Sequence, residues 1–267
     1  MPGSIVPDPP VGGSPPEAPA DAGNVRRAAL LLAGAAVAIF VVGTVFGLVA
    51  VGRHGGGPVQ PWDDAVGRWY LHHRWSFVGV SKVIATAFDA PVLGIACLAL
   101  TAVLAATLRT TRALIPAVAY LGAEFQVYAI RGVIHRHRPA TADAPAPGSV
   151  PGVHETAYSF PSGHTVAVTA ILFGLLGCIA LTRRIWWPWV VALAGSVVVA
   201  DSRLVLGVHW SSDVVVGILL GASWGVAVAL SARWVEWSDL RAALHPGRGR
   251  GQESSVSSAA ARSSSHT

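Results

Sequence analysis

Six times along this chain, about 20 residues pass with few or no charges, enough on a helix to cross a hydrocarbon layer of about 30 Å. The runs are 28–51, 83–108, 113–130, 162–181, 185–206 and 208–230. Backbone N–H and C=O groups in hydrocarbon have no water to bond, so each run must satisfy its own, which means a helix. The fold expected is therefore all-α, a polytopic membrane helical bundle of about six transmembrane helices. Only 12% of residues are charged, against roughly 25% in soluble domains.

The tails read differently. Residues 1–25 are rich in Pro, Gly and Ala, and 238–267 in Ser, Ala and Gly, so both are expected to be disordered around a membrane domain at 26–237. Arg26 and Arg27 follow a long tail instead of opening the chain, so the first run is expected to be an uncleaved span. Arg26, Arg27, Arg109, Arg112, Arg183, Arg184 and the C-terminal arginines fall on one side of six spans. By the positive-inside rule that side is the cytoplasm, giving a multi-pass plasma-membrane protein with both termini inside. The net charge of +5 sits at the ends of apolar runs and forms no stripe suited to nucleic acid. Cys97 and Cys178 lie in different runs and suggest no disulfide.

Other features refine this outline. Asp89 and Pro91 break the second run early. Gly217, Gly221 and Gly225 put a smooth ridge on the sixth, suited to close helix packing. Trp62, Trp69, Tyr70 and Trp75 mix with charges in the external segment 52–81, which reads either as an interfacial anchor or as part of a substrate entrance.

The chemistry is concentrated where charge is costly. Residues 185–230 are nearly all apolar yet contain Asp201, Arg203, His209 and Asp213. Such groups must pair or face water. His209 and Asp213 are four apart, so a helix start stacks them. The pair reads either as a structural contact or as a nucleophile whose tautomer and basicity a carboxylate sets. Ser162-Gly163-His164 opens an apolar run after Pro161. A helix N-terminus there offers N–H groups to an anion, Gly163 lets a phosphate approach, and His164 is placed to be a general acid. The plainer reading is a Ser cap with an incidental His. Arg131 and Arg138 are seven apart and share a face if the helix runs that far. Glu124, seven before Arg131, shares its face and pairs with it or touches substrate. Flanking arginines at His135 and His137 repel a cation, and no carboxylate or thiol cluster completes a ligand set, so neither metal nor cofactor is expected.

Taken together, Arg131-x6-Arg138-Pro139, Pro161-Ser162-Gly163-His164 and Ser202-Arg203-x5-His209-x3-Asp213 resemble the type 2 phosphatidic acid phosphatase superfamily. Vanadium haloperoxidases and glucose-6-phosphatase belong to it too. The family usually has lysine where this chain has Arg131, and Arg136 before His137-Arg138-Pro139 also looks like a family feature. The resemblance implies that His209 attacks phosphorus to form a phosphohistidine, Asp213 orients it and His164 protonates the leaving oxygen. Arg131, Arg138, Arg203, Ser162 and the Gly163 N–H then hold the phosphate oxygens. All three motifs fall on the external face. The expected function is a metal-independent lipid phosphatase acting on undecaprenyl diphosphate, phosphatidic acid or phosphatidylglycerophosphate. The expected partners are that lipid phosphate and the surrounding membrane lipids. The alternative is a non-enzymatic membrane protein that binds or moves a lipid phosphate.

Overall fold

The structure, a computed structural model, describes residues 22–73, 75–108, 110–139 and 157–235. The tail beyond 235, most of the tail before 26 and most of the Pro-rich loop at 139–158 lie outside the described residues.

Eight α-helices follow in order: α1 (Ala22–Phe46), α2 (Gln60–His73), α3 (Val78–Ala87), α4 (Ala90–Leu108), α5 (Ile115–Arg131), α6 (Gly163–Arg183), α7 (Trp187–Val205) and α8 (Ser211–Trp234). A π-turn at Gly47–Val51 extends α1, and a short 3-10 turn at Thr111–Leu114 precedes α5. Among the described residues there is no strand, only isolated bridges. Six segments are long and apolar enough to span a membrane: α1 with its π-turn, α4, α5 with its preceding turn, α6, α7 and α8.

Sequence explains the ends of these helices. Pro91, Pro116 and Pro188 each fall in a first turn, where the missing N–H has no intrahelical acceptor to lose. The expected break at Asp89 is larger than a kink. It separates α3 from α4, so the span contained in 83–108 is Ala90–Leu108. At the other terminus of the first run, α1 starts at Ala22, inside the stretch expected to be tail.

The centre of the bundle is α6 against α8, with α5, α7 and α1 around them and α4 outside α5. The glycine ridge works as expected. A Cβ at Gly221 would come within 2.5 Å of the Val166 carbonyl, and one at Gly225 within 2.5 Å of the Ala170 carbonyl. Close backbone approach of this kind is how helices pack where no water drives them together. Outward faces carry Val37, Leu98, Val198 and Leu219, all exposed and all suited to lipid. The shorter α2 and α3 lie over one end of this bundle, α2 against α8 and α7 and α3 against α7. That end holds the connections α5–α6 and α7–α8. Arg26, Arg27, Arg112, Arg183, Arg184 and Arg233 lie at the opposite helix ends.

Candidate active site

All eight candidate residues arrive at the covered end of the bundle. Arg131 is the last residue of α5, and its Nη2 donates to the Pro161 carbonyl at 3.0 Å. The helix does not continue to Arg138, so the two arginines do not share a helical face. The chain leaves α5 at Gly132, and Arg138 reaches the site from a non-helical stretch. An isolated bridge between His137 and Tyr158 and a 2.8 Å bond from the Ser159 N–H to the Arg136 carbonyl brace that stretch.

Phe160 anchors the next motif. It is fully buried and stacks on Phe46 at 6.4 Å between centroids. Ser162 occupies the N-cap position of α6, yet its hydroxyl makes no capping bond. It instead accepts from the Thr165 hydroxyl at 3.0 Å. An accepting hydroxyl keeps its own proton to donate, so the site gains a donor where a cap was expected. Gly163 stands where any side chain would come 3.5 Å from Arg131 Nη2. His164, half-buried, has its Nε2 3.3 Å from the Ala85 carbonyl at the end of α3.

The third motif is shaped by Gly207, whose φ of 68° turns the chain between α7 and α8 in a conformation that disfavours side chains. This delivers His209 just ahead of α8 with Asp213 in its first turn. Asp213 Oδ2 lies 3.4 Å from His209 Nδ1 and accepts the Trp210 N–H at 2.9 Å. On the other side of the ring, Arg138 Nη1 is 3.0 Å from His209 Nε2 and also donates to the Val208 carbonyl at 2.7 Å. A guanidinium only donates, so Nε2 is the acceptor and the ring proton belongs on Nδ1, facing the carboxylate. Arg203 is fully buried near them. Arg138, Arg203, Arg131 and His164 all lie close enough to act on His209 electrostatically. Burial first, then these cations, hold the His209 imidazole well below its ordinary range. Burial likewise pushes the Arg138 guanidinium down to about 10.

Two cavities meet this cluster. One of about 150 Å³ is lined by Asp63, Tyr70, Leu204, His209 and Trp210, among others. The other, about 140 Å³, is lined by Asp89, Glu124, Arg131, Gly163 and His164 with apolar neighbours such as Leu93 and Ala167. Glu124 thus shares a cavity with Arg131, as their spacing suggested.

Sequence reading undervalued two residues. Arg136, 1% exposed, spans two carboxylates, Asp63 at 2.6 Å and Asp213 at 2.8 Å. Asp63 is fully buried, although it belongs to the external segment read as an anchor or entrance. The acidic pair Asp63-Asp64 gave no local sign of which member turns inward. Arg136, by contrast, was marked by its place beside His137-Arg138-Pro139.

Residues 112–237 match the model of the PAP2 superfamily. An undecaprenyl-diphosphatase of Sulfolobus acidocaldarius is 44% identical over 69 residues, which are 26% of this chain and 31% of that protein. The match therefore spans about a third of the relative's length. The crystal structure of a transmembrane PAP2-type phosphatidylglycerolphosphate phosphatase from Bacillus subtilis superposes with a TM-score of 0.57. That likeness is at 22% identity and covers 74% of this chain and 94% of the other, and it speaks to the fold. All eight candidate residues fall inside the segment that matches the PAP2 superfamily model.

Proposed function

We propose that this chain is a membrane lipid phosphatase that works without a metal through a phosphohistidine. One observation carries the reading. His209 sits between a carboxylate on Nδ1 and a guanidinium donor on Nε2, so its lone pair and its proton are already assigned to the atoms that nucleophilic attack needs.

In the reaction, His209 Nε2 attacks phosphorus while the bond to the leaving oxygen breaks. His164 gives that oxygen its proton, then takes one from the water that cleaves the N–P bond and frees inorganic phosphate. Arg131, Arg138, Arg203, the Ser162 hydroxyl and the Gly163 N–H hold the equatorial oxygens, where charge is stabilised in phosphoryl transfer. His209 and His164 front different cavities, as in-line displacement asks of a nucleophile and a leaving-group acid.

The substrate class follows from the setting. The site lies at the end of six apolar helices, where a headgroup can enter while its chain stays in hydrocarbon. Undecaprenyl diphosphate, the substrate named for the S. acidocaldarius relative, is the first choice. Phosphatidylglycerophosphate and phosphatidic acid follow. The arginines at the opposite helix ends favour a plasma-membrane protein with both termini cytoplasmic and the site outside.

The test is phosphate release by the purified protein in detergent with EDTA present. The panel holds undecaprenyl diphosphate, phosphatidic acid, phosphatidylglycerophosphate and a soluble sugar phosphate. Release from a lipid that survives chelation supports the reading. Release that EDTA stops overturns the mechanism. Stable capture of vanadate with no turnover on any substrate replaces it with a binding role.

A further inference from the structure

We propose that Asp63 of α2 is a positioning residue of this site, acting through Arg136 on Asp213 and so on His209. The inference rests on the phosphatase reading above.

Asp63 is fully buried, and its carboxylate bonds the start of α8 and Arg136. Oδ1 accepts the Ser211 hydroxyl at 2.6 Å and the Ser212 N–H at 2.7 Å. Oδ2 accepts the Ser212 hydroxyl at 2.6 Å and Arg136 Nη2 at 2.6 Å. The other arm of Arg136 donates to Asp213 Oδ1 at 2.8 Å and to the Ser212 hydroxyl at 2.7 Å. The Trp210 ring lies 5.0 Å from the guanidinium carbon. Gln60, one turn before Asp63 on α2, accepts from Arg136 Nη2 at 2.9 Å.

This arrangement decides which oxygen of Asp213 meets the nucleophile. Arg136 occupies Oδ1 and leaves Oδ2 for His209 Nδ1. Asp63 also divides the charge of the guanidinium. Without it, one buried cation would bear on Asp213 alone and weaken that carboxylate as a partner for the imidazole. Neither effect touches the phosphate cradle, which is built from other residues.

The experiment compares wild type with Asp63→Asn in detergent, on undecaprenyl diphosphate and phosphatidic acid. It measures kcat, KM and the Kd for inorganic vanadate, with Ser231→Ala, which removes a buried hydroxyl bonded to the Ala227 carbonyl at the far end of α8, as the control. The expected result is a kcat lower by about 10- to 100-fold, the size seen when an outer partner that orients a reacting group is lost. KM and vanadate Kd stay within about twofold. Ser231→Ala leaves kcat near wild type. An Asp63→Asn protein with wild-type kcat overturns the proposal, as does one whose KM and vanadate Kd rise in step with its loss of kcat. If Asp63→Asn does not fold, Ser212→Ala carries the test. It removes the hydroxyl joining Arg136 to Asp63 and must lower kcat at constant KM; unchanged kcat overturns the proposal. A wild type inactive on every lipid would instead defeat the phosphatase reading itself.

Discussion

The backbone N–H of Ser162 donates to the backbone carbonyl of Asp213 at 3.2 Å. This bond joins the start of α6 to the start of α8, the two helices that pack most closely. The helix end proposed to bind the phosphate and the proposed partner of the nucleophile are therefore fixed to one another by main chain. A shift of α6 against α8 would move that proposed phosphate site relative to His209.

Gly221 controls that spacing. A Cβ there meets the Val166 carbonyl at 2.5 Å and Thr169 Cβ at 2.8 Å. Gly221→Ala is expected to destabilise the protein by about 1–3 kcal/mol, the usual range for overpacking. A lowered thermal midpoint in detergent checks this. Gly34→Ala, where nothing lies within 4 Å, is the matched control and is expected to be near neutral. Equal midpoints for the two variants would show that α6 and α8 separate at no cost.

In the proposed mechanism the histidines divide the reaction between them. His209→Ala is expected to lower phosphate release by on the order of 10⁴-fold or more, as loss of a nucleophile does. His164→Ala is expected to lose about 10²- to 10⁴-fold and to slow the clearing of the phosphoenzyme. Rapid quenching with labelled substrate checks both, since acid-labile, base-stable label belongs on His209 alone. Label on the His209→Ala protein would place the nucleophile elsewhere.

Arg138→Lys keeps the charge and loses the fork. The guanidinium bonds the Val208 and Tyr158 carbonyls as well as His209 Nε2. An ammonium on a shorter reach cannot serve all three. The expected loss in kcat/KM is about 1.5–3 kcal/mol, the value of a hydrogen bond to a charged group. Steady-state kinetics on the preferred lipid decides it, and a fully active lysine variant would show that point charge alone suffices.

Acid should weaken the fold through His209. Burial and the surrounding guanidiniums hold its imidazole well below the ordinary 6.5. Below that pH the unfolded chain takes up a proton that the folded site refuses, so unfolding is favoured. This contribution is present above the unfolded value and is lost as pH falls toward the folded one. His209→Asn is expected to lose less stability than wild type between about pH 7 and pH 5. Thermal midpoints at the two pH values give the comparison. Parallel losses in both proteins would assign the acid effect to other groups.

Five of the eight candidate residues were legible because each breaks a local rule. Arg203, His209 and Asp213 are charged or titratable groups in apolar sequence, and Arg131 and Arg138 put cations on the wrong side of the topological pattern. Spacing then brought His209 to Asp213. What spacing does not carry is a partner 150 residues away: Asp63 reaches Asp213 through Arg136 and through the Ser211-Ser212 pair, contacts across the bundle. The path between Arg131 and Arg138 was misread for a related reason. Seven residues suit two turns of helix equally well as a turn and an extended strand of chain. The Ser162 hydroxyl turned to Thr165 because the neighbouring side chain, not the backbone, offered the nearer bond.

Three buried guanidiniums, of Arg136, Arg138 and Arg203, stand against two buried carboxylates, of Asp63 and Asp213. Burial costs these guanidiniums their hydration, and an anion that binds beside them offsets part of that cost. Phosphate or vanadate at about 100 times its Kd would add about 2.7 kcal/mol to the folded state by mass action. An anion seated in the site is therefore expected to raise the thermal midpoint of the whole bundle.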